Sequence, residues 1–201
     1  MSIRKHAFTL SEILIAVGII GVVSALTVPT VISNYQRKAF ATQFRKVVNE
    51  FESATELSMT DEAKAKFSYT SYYANLNDFV TKNFKTLKSC AANTSGSCFA
   101  SNYESINGSS GAAFTCDNTS YVLANSAVVC LSKTTSFVKV VVDINGTNDP
   151  NIGGRDMFTF YIDKDTGLAK KNYDSSTCLT STSGNGCYEL LAIDHNWQMN
   201  Y

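Results

Sequence analysis

Residues 4–23 read RKHAFTLSEILIAVGIIGVV. Two basic residues and a short polar step lead into an apolar run, and one carboxylate, Glu12, stands at its threshold. From residue 13 to residue 36 nothing is charged. The core of that run, residues 13–32, is about 20 residues long. As a helix rising ~1.5 Å per residue it measures ~30 Å, the thickness of a bilayer core. Three readings compete for it. It is a buried core helix, a secretory signal peptide with Val23, Ser24 and Ala25 as its small-residue cleavage site, or a retained membrane anchor. A run this long is out of proportion to the core of so ordinary a domain, and the retained anchor is the favoured reading.

The totals set the frame. With 201 residues the chain can bury one core of ordinary size. A formal net charge of zero gives no reason to expect nucleic acid or an anionic membrane surface as the main partner. Basic residues flank the run on both sides (Arg4 and Lys5 before, Arg37 and Lys38 after), so charge alone orients it weakly. The cysteines decide the orientation. All six follow the run, and disulfides persist in oxidising compartments, so the long C-terminal part is expected outside the cytoplasm.

Glu12 then needs an explanation. A carboxylate at the centre of a membrane costs on the order of 2.5–3.5 kcal/mol, and less near the edge. One reading leaves Glu12 in the headgroup zone, tolerated there. The other gives it a cation. A cut between Ala7 and Phe8 would create an ammonium at Phe8, and in a stack of staggered helices that ammonium meets the Glu12 of a neighbour. Opposite charges a few ångströms apart in a low-dielectric setting attract strongly, and such a pair sets axial register.

The stretch Lys5-His6-Ala7-Phe8-Thr9-Leu10-Ser11-Glu12, followed by an apolar helix, resembles the N-terminal cleavage and methylation segment of type IV prepilins and of type II secretion pseudopilins. Pro29 falls where many pilins carry a proline in the anchor helix, and a mid-helix proline removes one hydrogen bond. Ala7 departs from the glycine usual before the cut. The resemblance covers roughly residues 4–40. It implies a leader of residues 1–7, a transmembrane and polymerisation helix over residues 8–36, and an extracytoplasmic pilin-like head over residues 37–201. It also implies a prepilin peptidase that cuts after Ala7 and methylates Phe8. The subunit would wait in the inner membrane as a single-pass protein. An ATPase and an assembly platform would then lift it into a filament with other copies and related pilin subunits. Secretion pseudopili and adhesive, twitching or competence pili share this N-terminus. The competing function is a secreted or surface binding module with an ordinary signal peptide, cut near Ala25 and never assembled.

Beyond the membrane run, Phe40, Phe44, Val47, Val48, Phe51 and Ala54 recur at helical spacing with charged residues between them. The apolar stripe narrows from all-round to one face, the signature of a helix that packs on a domain. One helix from about residue 10 to about residue 59 is expected. A second is expected over residues 74–88, where Leu76, Phe79, Val80, Phe84 and Leu87 share a face. Residues 90–111 (CAANTSGSCFASNYESINGSSG) read as a long surface loop clipped by Cys90 and Cys98. Strand signals follow at residues 121–125, 128–132, 137–144 and 157–162. A turn at 163–167 (DKDTG) leads to a last strand near 168–173. The expected fold class is therefore α+β and pilin-like, an antiparallel β-meander packed on the outer half of a long N-terminal helix.

Six cysteines permit fifteen pairings. Local pairing is the simplest: Cys90 with Cys98, Cys116 with Cys130, Cys178 with Cys187. Zinc usually wants closer spacing than any of these. Residues 143–156 (DINGTNDPNIGGRD) concentrate oxygen donors beside glycines. Ordinary turn chemistry accounts for that composition. Calcium is the alternative, with Asp143, Asn145, Asn148, Asp149 and Asp156 as candidate ligands, since some secretion pseudopilins bind calcium on a similar loop. No other cofactor is expected. Catalysis is not expected either: of the two histidines, His6 would leave with the leader, and His195, beside Asp194, reads as a surface or end-strand residue. Trp197 reads as a core plug. There is no phosphate-binding loop and no basic-aromatic patch for single-stranded nucleic acid.

Overall fold

The computed structural model describes residues 9–111 and 113–201. Helix α1 runs from Leu10 to Asp61. A 3₁₀ turn (Phe67–Tyr69) and two short helices, α2 (Ser71–Ala74) and α3 (Leu76–Asn83), lead into a six-stranded antiparallel sheet. The strands are β1 (Thr86–Cys90), β2 (Ser120–Leu123), β3 (Val128–Lys133), β4 (Phe137–Asp143), β5 (Met157–Asp163) and β6 (Ala169–Lys170), and they lie side by side in chain order. By contacts the chain divides into two compact units after Lys38. The architecture is the expected α+β, pilin-like one.

Within the second unit, α1 buries Ala41, Phe44, Val47, Val48, Phe51, Ala54, Thr55 and Ser58, a stripe at steps of three and four. Against it the sheet presents one of its two faces. Alternation places Val129 and Leu131 of β3, Val138, Val140 and Val142 of β4, and Phe158, Phe160 and Ile162 of β5 in this core. Phe44 is the hinge of the packing: its ring stacks on Phe158 at 4.2 Å and meets Phe160 edge-on at 5.9 Å. Trp197 lies 5.9 Å from the same ring, partly buried against the core. Two polar contacts tie the β5–β6 turn to the helix. Thr55 Oγ1 donates to the carbonyl of Gly167 at 2.6 Å, and Glu52 Oε1 accepts from the amide of Ala169 at 2.8 Å. Gly167 has φ +74°, and a Cβ there would stand 2.8 Å from Thr55 Oγ1, so both backbone and space ask for glycine.

The opposite face of the sheet is also apolar, and the segment between β1 and β2 covers it. Cys98, Phe99, Ala100, Tyr103 and Cys116 are buried there against Val128, Cys130, Val141 and Met157. Residues 90–111 are the irregular, largely exposed loop that their Ser, Asn and Gly content suggested, but Cys98, Phe99, Ala100 and Tyr103 turn inward and make part of it a covering layer. Disulfides Cys90–Cys98 and Cys116–Cys130 hold it, the second crossing directly to β3. A third, Cys178–Cys187, closes the segment after β6. Gly154 (φ +85°) packs on it, where a Cβ would lie 2.7 Å from Cys178 Sγ.

The second helix is shorter than its apolar spacing suggested. Asn75 interrupts it, capping α3 by accepting the amides of Asn77 and Asp78, and Phe84 is extended. Residues 86–88, read as the end of that helix, belong to edge strand β1, with Thr86 paired to Leu123 and Cys90 to Ser120. Helical spacing between Phe84 and Leu87 was coincidental, and sheet pairing plus the Cys90 crosslink overrode it. The last helical element among the described residues is a π-helical turn, Glu189–Asp194, which no sequence signal announced.

Phe44 is fully buried. Phe44→Ala is expected to lower the unfolding free energy of the detergent-solubilised chain by about 3–5 kcal/mol. A denaturant titration read by tryptophan emission checks this.

Candidate assembly site

The site is built on the first turns of α1. Thr9 stands just before the helix, and its Oγ1 accepts the amide of Glu12 at 3.3 Å. In return, Glu12 Oε2 accepts the Thr9 amide at 2.7 Å and the Thr9 hydroxyl at 2.8 Å. This reciprocal pair is a capping box, in which two otherwise orphaned helix-start donors are satisfied by side chains. The acid also faces the positive end of the helix dipole. Reading Glu12 as a membrane anomaly missed this role, although the signal is present as T-x-x-E over residues 9–12. Among the described residues, Oε1 of Glu12 makes no hydrogen bond.

From Leu10 to Ile32 the large apolar side chains are exposed in the folded chain, between 47% and 78%. Helix α1 is long and apolar enough to cross a membrane by length and composition. Pro29 lies inside it without ending it. Its missing amide sits between two threonines that turn their hydroxyls onto nearby carbonyls: Thr27 Oγ1 donates to Val23 at 2.9 Å, and Thr30 Oγ1 to Thr27 at 2.9 Å. Such bonds keep polar groups satisfied where lipid offers no partner. Ala7 and Phe8 lie outside the described residues.

Residues 3–28 match the family model described as the prokaryotic N-terminal methylation motif. This is the type IV prepilin and pseudopilin signature. It supports a prepilin-type processed pilin or pseudopilin, implies a prepilin peptidase and pilin subunits as partners, and suggests a structural subunit rather than an enzyme. The motif and the apolar helix together fit a single-pass protein anchored in the inner membrane. No curated protein and no solved structure matches the chain at a significant level.

The oxygen-rich loop lies elsewhere, between β4 and β5. Asp143 is fully buried. Its Oδ1 accepts the amides of Asn145 and Gly146 at 3.0 and 2.7 Å, and its Oδ2 accepts the Tyr103 hydroxyl. Asp156, also buried, accepts the amides of Asn151 and Ile152 at 2.7 and 2.8 Å. Asn145 Nδ2 donates to the carbonyls of Asn148 and Asp149, both at 2.9 Å, and Asp149 Oδ1 accepts from Asn151 Nδ2 at 3.0 Å. The loop thus closes on itself by turn bonds. No three His, Cys, Asp or Glu side chains among the described residues converge as a group that could hold a metal ion. Two side-chain oxygens of this loop, Asn145 Oδ1 and Asn151 Oδ1, are buried without a hydrogen-bond partner. His195 follows the π-helical turn, its ring 5.4 Å from Tyr201, rather than sitting in a strand.

Burial pushes the Asp143 carboxyl up to about 7, with the neighbouring Asp156 charge adding to it and the Tyr103 bond opposing. Burial likewise raises Asp156 to about 6 against its amide bonds. Both values lie above the ~3.9 of a free aspartate. The contribution of this pair to stability is therefore fully present below that ordinary value and is lost as pH rises through 6 to 7. Thermal melts are expected to show the pair's contribution falling between about pH 4 and pH 7, and Asp143→Asn should flatten that part of the profile.

Proposed function

We propose that the chain is a structural subunit of a type IV pilus-like or type II secretion pseudopilus filament. A prepilin peptidase cuts it between Ala7 and Phe8 and methylates Phe8. It waits in the inner membrane with its head outside the cytoplasm, and an assembly platform and its ATPase load it into the filament. The observation that carries this reading is the methylation motif over residues 3–28, placed at the mouth of a helix of membrane length.

The capping box refines the part played by Glu12. One oxygen is committed to its own Thr9 and holds the helix start in shape. The other stays available for the ammonium of Phe8 on a neighbouring copy. A carboxylate oriented in this way loses less conformational freedom on pairing than a free one would. The pair then sets the axial register between copies, and the exposed apolar side chains from Leu10 to Ile32 supply the packing.

Intact mass of the membrane-extracted chain is expected to correspond to a start at methylated Phe8. A start at Leu26 would overturn the reading in favour of a signal peptide. Glu12→Ala should still be cut and still enter the membrane, yet be lost from sheared filament fractions. The head is proposed to need no cofactor. The melting temperature is expected to be the same in calcium and in a calcium chelator, and a rise in calcium would assign the metal to the loop between β4 and β5.

A further inference from the structure

The head carries two distinct surface features. At the β1–β2 edge, an open groove of about 1010 Å³ runs along α1. Apolar side chains of Leu57, Phe84 and Leu123 line it, and Leu57 is 53% exposed. Its lining also carries Arg45, Lys46 and Lys85 against a single carboxylate, Glu50. Lys46 pairs with Glu50 at 3.7 Å, and Arg45 lies over the Trp197 ring at 5.6 Å. Lys85 is exposed and has no ionic partner among the described residues.

Beyond the β6 edge stands the π-helical turn Glu189–Asp194. Two bonds and a buried anchor fix it there. Glu189 Oε1 accepts the amides of Asn172 and Tyr173 at 2.8 and 3.0 Å, and Leu191 is fully buried. What the turn shows outward is Ile193, 52% exposed, with Asp194 beside it. Asp194 has no ionic partner among the described residues. Six consecutive π-helical residues are rare, and such geometry concentrates at functional positions.

We propose that the groove receives this turn from a second copy of the chain, with Ile193 entering against Leu57, Phe84 and Leu123 and Asp194 pairing with Lys85. The proposal rests on the filament reading above and extends it to the heads. Apolar side chain meets apolar lining, and an unpaired carboxylate meets a groove with two more cations than carboxylates. Because the two surfaces differ, the contact is head-to-tail, and a head-to-tail contact that does not close propagates as a helical filament. An exposed ion pair alone contributes little energy, so here it selects orientation while the apolar contact supplies adhesion.

Zero-length carbodiimide cross-linking of filaments from cells making the full chain tests this. Mixing isotopically light and heavy subunits verifies that the link joins two copies. The expected result is a dimer whose linked peptides join Lys85 to Asp194. The dimer should vanish in Lys85→Arg, which keeps the charge and the filaments but removes the reactive amine. Lys85→Glu and Asp194→Lys should each lower filament yield severalfold, and the double variant should restore it. Filaments that form without this link, or a Lys85 linked to a different protein, overturn the proposal and leave the filament reading standing. Absent filaments together with a mature start at Leu26 overturn both.

Discussion

One helical stripe organises the head. Phe44, Val47, Val48, Phe51 and Ala54 turn to one side of α1, and every strand from β2 to β5 places alternate side chains against them. The stacked rings of Phe44 and Phe158 sit at the centre of that contact. A meander of short strands has little stability of its own, and apolar burial against a helix supplies what the strand pairing does not. The same helix begins with apolar side chains exposed on all sides, so its composition separates a part that seeks protein from a part that seeks lipid or other helices.

The second face of the sheet shows how a polar sequence is made to cover an apolar surface. Residues 91–119 contain few hydrophobic side chains, but Phe99, Tyr103 and Phe114 are placed where Val128, Val141 and Met157 need cover. Two disulfides reduce the freedom of this segment before it folds, which lets so few apolar contacts hold it. Tyr103 adds the polar link, donating its hydroxyl to Asp143 while accepting the Ala100 amide at 3.0 Å. The loop between β4 and β5 and the covering layer are in this way joined through one buried carboxylate.

Glu12 illustrates how one residue serves two scales. At the local scale it closes a capping box with Thr9 and completes the start of α1. At the scale of the proposed filament it retains an oxygen for a cation that only proteolysis creates. The two roles are compatible because a carboxylate has more acceptor positions than the cap consumes.

The long helix, the meander and the membrane-length run were legible in the sequence because each rests on local periodicity. A step of three and four, a step of two, and an uninterrupted apolar stretch survive without knowledge of distant partners. The methylation motif was legible for the same reason, as a short pattern at fixed spacing. The capping box was equally local and equally readable. What the sequence left open is whatever depends on residues far apart. Strand β1 looked helical because its partner, β2, lies some thirty residues on. The pairing of Tyr103 with Asp143, the burial of Glu189 on the Asn172 and Tyr173 amides, and the π-helical turn that follows exist only once the sheet has brought those segments together. Periodicity encodes which face of an element is apolar; only tertiary packing decides which other face it meets.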